Sequence, residues 1–168
     1  QKIKQTKRYS IDSKNFTIYV RAVFTTAGSV GRIYSFGNKS IYLGFGGGTT
    51  WGGGAKINRV IDNTAGVSAA ETITAFSDIT NWHNYVIMRN GTNNLWLFID
   101  GVSYDTGLTS TYTVGTTNTI LTFGLEIIND NENFNGSIDE FGVINRSLTL
   151  AEIQTLQNYT IGGTSSAT

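Results

Sequence analysis

The residues of this chain that could do chemistry are oxygen donors and aromatic rings. It has no cysteine, one histidine (His83), three tryptophans and twelve acidic residues. Thiol catalysis and cysteine-held zinc are thereby excluded, as are histidine clusters of the HExxH kind. A Ser-His-Asp triad would have to use His83, which stands beside Trp82 and is read as structural. The most informative carboxylate is Asp139, in "SIDEFGVIN" (137–145). Strict alternation puts Asp139, Phe141 and Val143 on one face and Ile138, Glu140, Gly142 and Ile144 on the other. The first face then looks into a core. A carboxylate at the rim of a core needs a partner, because an unpaired buried charge costs several kcal/mol. Backbone N–H groups, a basic side chain or a metal ion could each serve.

Two further stretches carry binding chemistry. Trp51 stands in the glycine-dense "GGGTTWGGG" (46–54), with no evident core role. An exposed indole there would stack on the C–H face of a sugar, and binding residues concentrate on such loops. The competing reading folds Trp51 back as a plug over a sheet. The loop "NDNENFN" (129–135) offers Asn129, Asp130, Asn131 and Glu132, a set able to bind a sugar or a second cation. It reads equally as a polar hairpin loop. Trp82 and Trp96 fall within strands and are expected to be core or half-buried.

These residues must be positioned by strands. "NFTIYVRAVF" (15–24) alternates, with Phe16, Ile18, Val20, Ala22 and Phe24 on the core side. Further strands are expected at 32–37, 41–45, 56–62, 71–77, 82–90, 95–101, 102–107, 118–126 and 137–145. "NGTNN" (90–94) and "DG" (100–101) supply turn residues that tolerate positive φ. One helix is expected, in "LTLAEIQTLQ" (148–157). Thr149 and Glu152 form a capping box there, with Leu148 and Ile153 as its hydrophobic staple. About ten strands with short turns and one small helix predict an all-β fold: a two-sheet antiparallel jelly-roll sandwich with a short C-terminal helix.

Composition narrows the function. Of 168 residues only 14% are charged, and the net charge is zero, which argues against nucleic acid as a partner. Lys2, Lys4, Lys7 and Arg8 are read as part of a solvated N-terminal arm (1–14), with docking to an acidic surface as the alternative. No apolar run approaches the ~20 residues needed to span a bilayer, so no membrane insertion is expected. The chain begins with Gln and shows no signal-peptide pattern, so a processed chain or an excised module is expected. Abundant Gly, Thr, Asn and Ser with no Pro suit an extracellular, cell-surface or virion β-protein. Six N-x-S/T sequons occur, at Asn15, Asn38, Asn90, Asn135, Asn145 and Asn158. In so polar a chain several arise by chance, and they do not establish glycosylation.

Three segments together carry a family resemblance. "NWHNYVIMRNGTNNLWLFIDG" (81–101) looks like the W-H-x-V hairpin of laminin G-like domains. "FNGSIDEFGVINRSLTLAEI" (134–153) resembles their F-x-G-x-I-D-E strand, which leads through N-R-x-L to a short helix. "NFTIYVRAVF" is similar to their first core strand. The chain thus resembles the laminin G-like domains of the concanavalin A-like lectin/glucanase superfamily. The resemblance implies a jelly roll with a binding rim and, in many members, one structural Ca2+. The Asp of the I-D-E strand, here Asp139, is then a typical ligand, and Asn38 and Asp12 are the further ligands expected. The alternative leaves Asp139 bonded to backbone amides of the N-terminal arm. The glucanase string E-x-D-x-x-E is missing, as is the legume-lectin metal pattern, so no enzyme is expected.

The expectation is one domain over 15–160 with a flexible tail at 161–168. It is a non-catalytic module that binds carbohydrate at the sandwich rim, within a larger polypeptide or assembly. The alternative is a structural or protein-interaction domain of a viral or cell-surface assembly, with a surface protein in place of a glycan. A glycoside hydrolase is the least favoured reading.

Overall fold

The structure, a computed structural model, describes residues 3–9, 15–25, 31–36, 41–46, 56–61, 69–73, 76, 78–91, 94–104, 108–109, 119–123 and 134–157. The strands are β1 (Ile3–Tyr9), β2 (Asn15–Phe24), β3 (Gly31–Phe36), β4 (Ile41–Gly46), β5 (Lys56–Ile61) and β6 (Ala69–Ile73). They continue with β7 (His83–Asn90), β8 (Asn94–Ile99), β9 (Val102–Ser103), β10 (Leu108–Thr109), β11 (Thr119–Phe123) and β12 (Gly136–Ile144). One helix, α1, spans Leu150–Leu156. Two antiparallel sheets result. One runs β1-β11-β3-β4-β5-β6; the other runs β10-β8-β7-β2-β12, with β9 paired to β8.

Alternation along β2 does what it predicts. Phe16, Ile18, Val20, Ala22 and Phe24 are all buried and meet Tyr85 and Ile87 of β7, Leu97 and Ile99 of β8, and Ile33 of the opposite sheet. The two sheets therefore share one apolar layer. The outer face of the second sheet carries another cluster: Val86, Met88 and Phe98, covered by Leu148 and Ile153 of the helical segment. Trp96 is half-buried beside them, as expected.

The helix is held there by its entry. Thr17 Oγ1 donates to the Arg146 carbonyl at 2.9 Å, and Ser147 Oγ donates to the Arg89 carbonyl at 2.8 Å. The capping box is formed. The Thr149 hydroxyl accepts from the Glu152 N–H at 3.3 Å, and the Glu152 carboxylate accepts from the Thr149 N–H at 2.8 Å. Arg146 grips the same carboxylate at 2.6 and 3.0 Å. Arg146 first, and the Thr149 N–H second, hold the Glu152 carboxyl at about 2, below its ordinary 4.5. A depressed carboxyl stabilises the fold above its ordinary pKa, and that contribution fades as pH falls toward 2. Replacing Thr149 with Ala should cost about 1 kcal/mol in chemical denaturation, by orphaning a helix N–H.

Two expectations are corrected. The stretch 1–14 is not wholly an irregular arm, because Ile3–Tyr9 is a strand paired with β11 at the edge of the first sheet. Its lysines suit an edge strand, where charge deters pairing with another chain. The second correction concerns β12. Its pairing with β2 shifts between Ile138, opposite Ala22, and Glu140, opposite Arg21. Asp139 is the extra residue of a β-bulge. A one-residue shift reverses the faces, so Ile138, Phe141 and Val143 all pack against the core. Asp139 therefore does not look inward.

Candidate functional site

The bulge places Asp139 at the surface beside β2. Its side chain is 47% exposed, and its Oδ2 accepts from Arg21 Nη1 at 3.1 Å. Of the partners open to it, the described residues supply a basic side chain. Arg21 projects from the outer face of β2, since its neighbours Val20 and Ala22 are buried in the core. Its register partner on β7 is Asn84, and Trp82 lies two residues before Asn84, just ahead of the strand. The Arg21 guanidinium carbon sits 5.4 Å from the centre of the Trp82 ring. Trp82 is 43% exposed. A carboxylate thus fixes a guanidinium, and the guanidinium stacks against an exposed indole; an Arg–indole contact contributes about 0.5–1 kcal/mol at an exposed position. The result is an aromatic surface edged by fixed hydrogen-bonding groups.

The base of this surface is anchored by its neighbours. Asp100 and Gly101 take φ of 49° and 74° in the turn between β8 and β9. Positive φ is unusual for a non-glycine residue. Here the Asp100 carboxylate is held at both oxygens: Oδ1 accepts from the Asn84 N–H at 2.9 Å and Oδ2 lies 2.5 Å from His83 Nδ1. The Gln157 side-chain amide packs where a Cβ on Gly101 would lie. On the other side of the imidazole, Asp78 Oδ2 lies 3.6 Å from His83 Nε2. Asp78 in turn accepts twice from Asn81 Nδ2, at 2.9 and 3.2 Å. His83 is thus clamped between two carboxylates and against Phe76, whose ring centre is 4.8 Å away. Buried Tyr85 lies beneath, its phenol pushed well above its ordinary value by burial first and by Asp100 and Asp78 next. The structural reading of His83 agrees with this setting. What sequence reasoning overlooked is that carboxylates 5 and 17 residues away would flank it.

Trp82 was expected to be packed, and the structure leaves it exposed. The signal was available: Asn84 marks the outward face of "WHNYVIMRN", and α1 covers only Val86 and Met88 farther along it. Trp51, Asn129, Asp130, Asn131, Glu132, Asn38 and Asp12 lie outside the described residues.

At Asp139 itself a guanidinium competes with Ca2+, and Asn38 and Asp12, the further ligands expected, lie outside the described residues. The ion takes six to eight oxygens, whereas this carboxylate already holds a guanidinium that would repel it. Among the described residues no group of three His, Asp or Glu side chains could hold a metal ion. Nor do Asp139 and Glu140 make a hydrolytic pair, since Glu140 is buried and Asp139 is engaged by Arg21. Chelation is expected to leave the melting temperature unchanged. A fall on adding EDTA, reversed by Ca2+, would restore the calcium reading, because a ligand of the folded state stabilises it by mass action.

Along α1, Ile144, Arg146, Leu148, Ala151, Glu152, Thr155 and Leu156 line a groove of about 350 Å3. Among the described residues no helix is long and apolar enough to cross a membrane.

Comparison with known proteins supplies context. The model of a family described as the concanavalin A-like lectin/glucanases superfamily matches residues 2–154. No curated protein sequence matches the chain. Among solved structures, it is similar to the Ruminococcus gnavus IT-sialidase CBM40 bound to alpha2,3 sialyllactose. The TM-score is 0.67 at 16% identity, over 94% of this chain and 96% of that one. It is also similar to domain 4 of AbnA, an extracellular arabinanase from Geobacillus stearothermophilus, in complex with arabinotriose. There the TM-score is 0.64 at 14% identity, over 94% and 81% of the two chains. The binding domain of botulinum neurotoxin serotype D matches with a TM-score of 0.66 at 14% identity. The match covers 90% of this chain but only 38% of that one. At these identities the likeness shows the fold alone.

Proposed function

Because the chain belongs to the concanavalin A-like lectin/glucanases superfamily, we propose that it is a non-catalytic carbohydrate-binding module. The observation that carries the reading is the exposed Trp82, stacked by Arg21, which is itself held by Asp139. Sugars are bound by aromatic rings against their C–H faces and by charged or amide groups at their hydroxyls. This surface offers both: Arg21 lies within β2, Asp139 at the bulge of β12 and Trp82 just ahead of β7. Trp51 and the 129–132 loop remain in the proposal as rim contacts. The sugar-bound neighbours of the same fold support the reading, as does a polar, Pro-free composition suited to an extracellular or surface setting. The module would work within a larger polypeptide or assembly.

A glycan array tests it: the chain is expected to bind a defined subset of sugars, and binding to none would refute the proposal. The second reading, a protein-interaction module of a surface assembly, draws on the apolar groove beside α1. It gains if the array is blank.

A further inference from the structure

The polarity of the Trp82 surface restricts which sugar it can take; the argument rests on the reading of that surface as a glycan site. We infer that its ligand is a neutral sugar with two adjacent hydroxyls, rather than a sialylated or uronic one. Arg21 and Asp139 are joined through a single contact, Nη1 to Oδ2, at 3.1 Å. Asp139 Oδ1 and the other N–H groups of Arg21 have no partner among the described residues. An ionised carboxylate only accepts hydrogen bonds, and a guanidinium only donates them. A neutral hydroxyl does both. Two hydroxyls on neighbouring ring carbons can therefore accept from Arg21 and donate to Asp139 together, leaving that pair intact. The apolar face of the same sugar ring then lies against the exposed part of Trp82.

An acidic sugar meets the opposite situation. Its carboxylate would seek the guanidinium, yet Asp139 already holds it. The register sets a second acidic residue, Glu140, directly across from Arg21. An incoming carboxylate therefore approaches a strand pair that already carries two acidic residues around one cation's position, only one of them, Asp139, in contact with Arg21. An incoming carboxylate must displace Asp139 or sit against it, and like charges at that spacing repel.

The test is an array that pairs neutral oligosaccharides with acidic counterparts on the same core, such as lactose with 3'-sialyllactose. Hits are then titrated by calorimetry. The neutral member is expected to bind at least ten-fold more tightly than its acidic counterpart. Asp139→Asn removes the charge but little volume. It should lose about ten-fold for the neutral sugar and narrow or reverse the preference, with the melting curve showing that the variant is folded. Tighter binding of the acidic member by the unaltered chain would overturn the inference while leaving the glycan-binding reading intact. An unchanged preference in Asp139→Asn would overturn it as well. Binding to no sugar would overturn both.

Discussion

Replacing Trp82 with Ala should abolish or strongly weaken glycan binding, by at least ten-fold in Kd, and leave the melting temperature almost unchanged. Ten-fold corresponds to about 1.4 kcal/mol. The two effects separate because of where the ring lies. It belongs to neither apolar cluster, and it is 43% exposed. Its removal opens no enclosed cavity and forfeits the contact with Arg21. Binding loses the exposed indole that the described residues give the site. Arg21 also loses the ring against which it is stacked. Calorimetry with the best sugar from an array, set beside thermal unfolding of the same samples, reads both quantities. A variant that binds sugar normally would move the site elsewhere, with Trp51 next in line.

The largest stability effect is expected from Phe16→Ala. Phe16 has no exposed surface and lies in the apolar layer between the sheets. Truncating a buried Phe removes transfer free energy and leaves a cavity, at a cost of about 3–5 kcal/mol. A domain of this size has roughly 5–15 kcal/mol in total. Urea denaturation should therefore show a large fall in the midpoint with little change in slope. A cost below about 1 kcal/mol would mean that the two sheets do not pack through β2.

Much of the architecture was legible because alternation is a local signal. "NFTIYVRAVF" gave its core face correctly, as each inward residue of β2 is apolar. The helix was legible for the same reason, since Thr149 and Glu152 carry its start in four consecutive positions. Asp139 was misplaced because a bulge is set by pairing with another strand, and nothing within "SIDEFGVIN" announces the extra residue. Strand β1 was missed because its basic residues read as solvated, while its pairing partner β11 lies over a hundred residues away in the chain. The candidate site suffered most from distance. Arg21, Trp82 and Asp139 come from three separate strands or their ends, and only the β7-β2-β12 order brings them together.

The most direct test is where a sugar touches the protein. Two-dimensional 15N–1H NMR during titration with a neutral oligosaccharide would show it. The expected result is a compact set of perturbed signals: the Trp82 indole N–H, the Arg21 side chain, and the backbone amides of Asp139 and Asn84. Perturbations confined to residues around the groove beside α1, or to the other sheet, with the Trp82 indole unmoved, would contradict it.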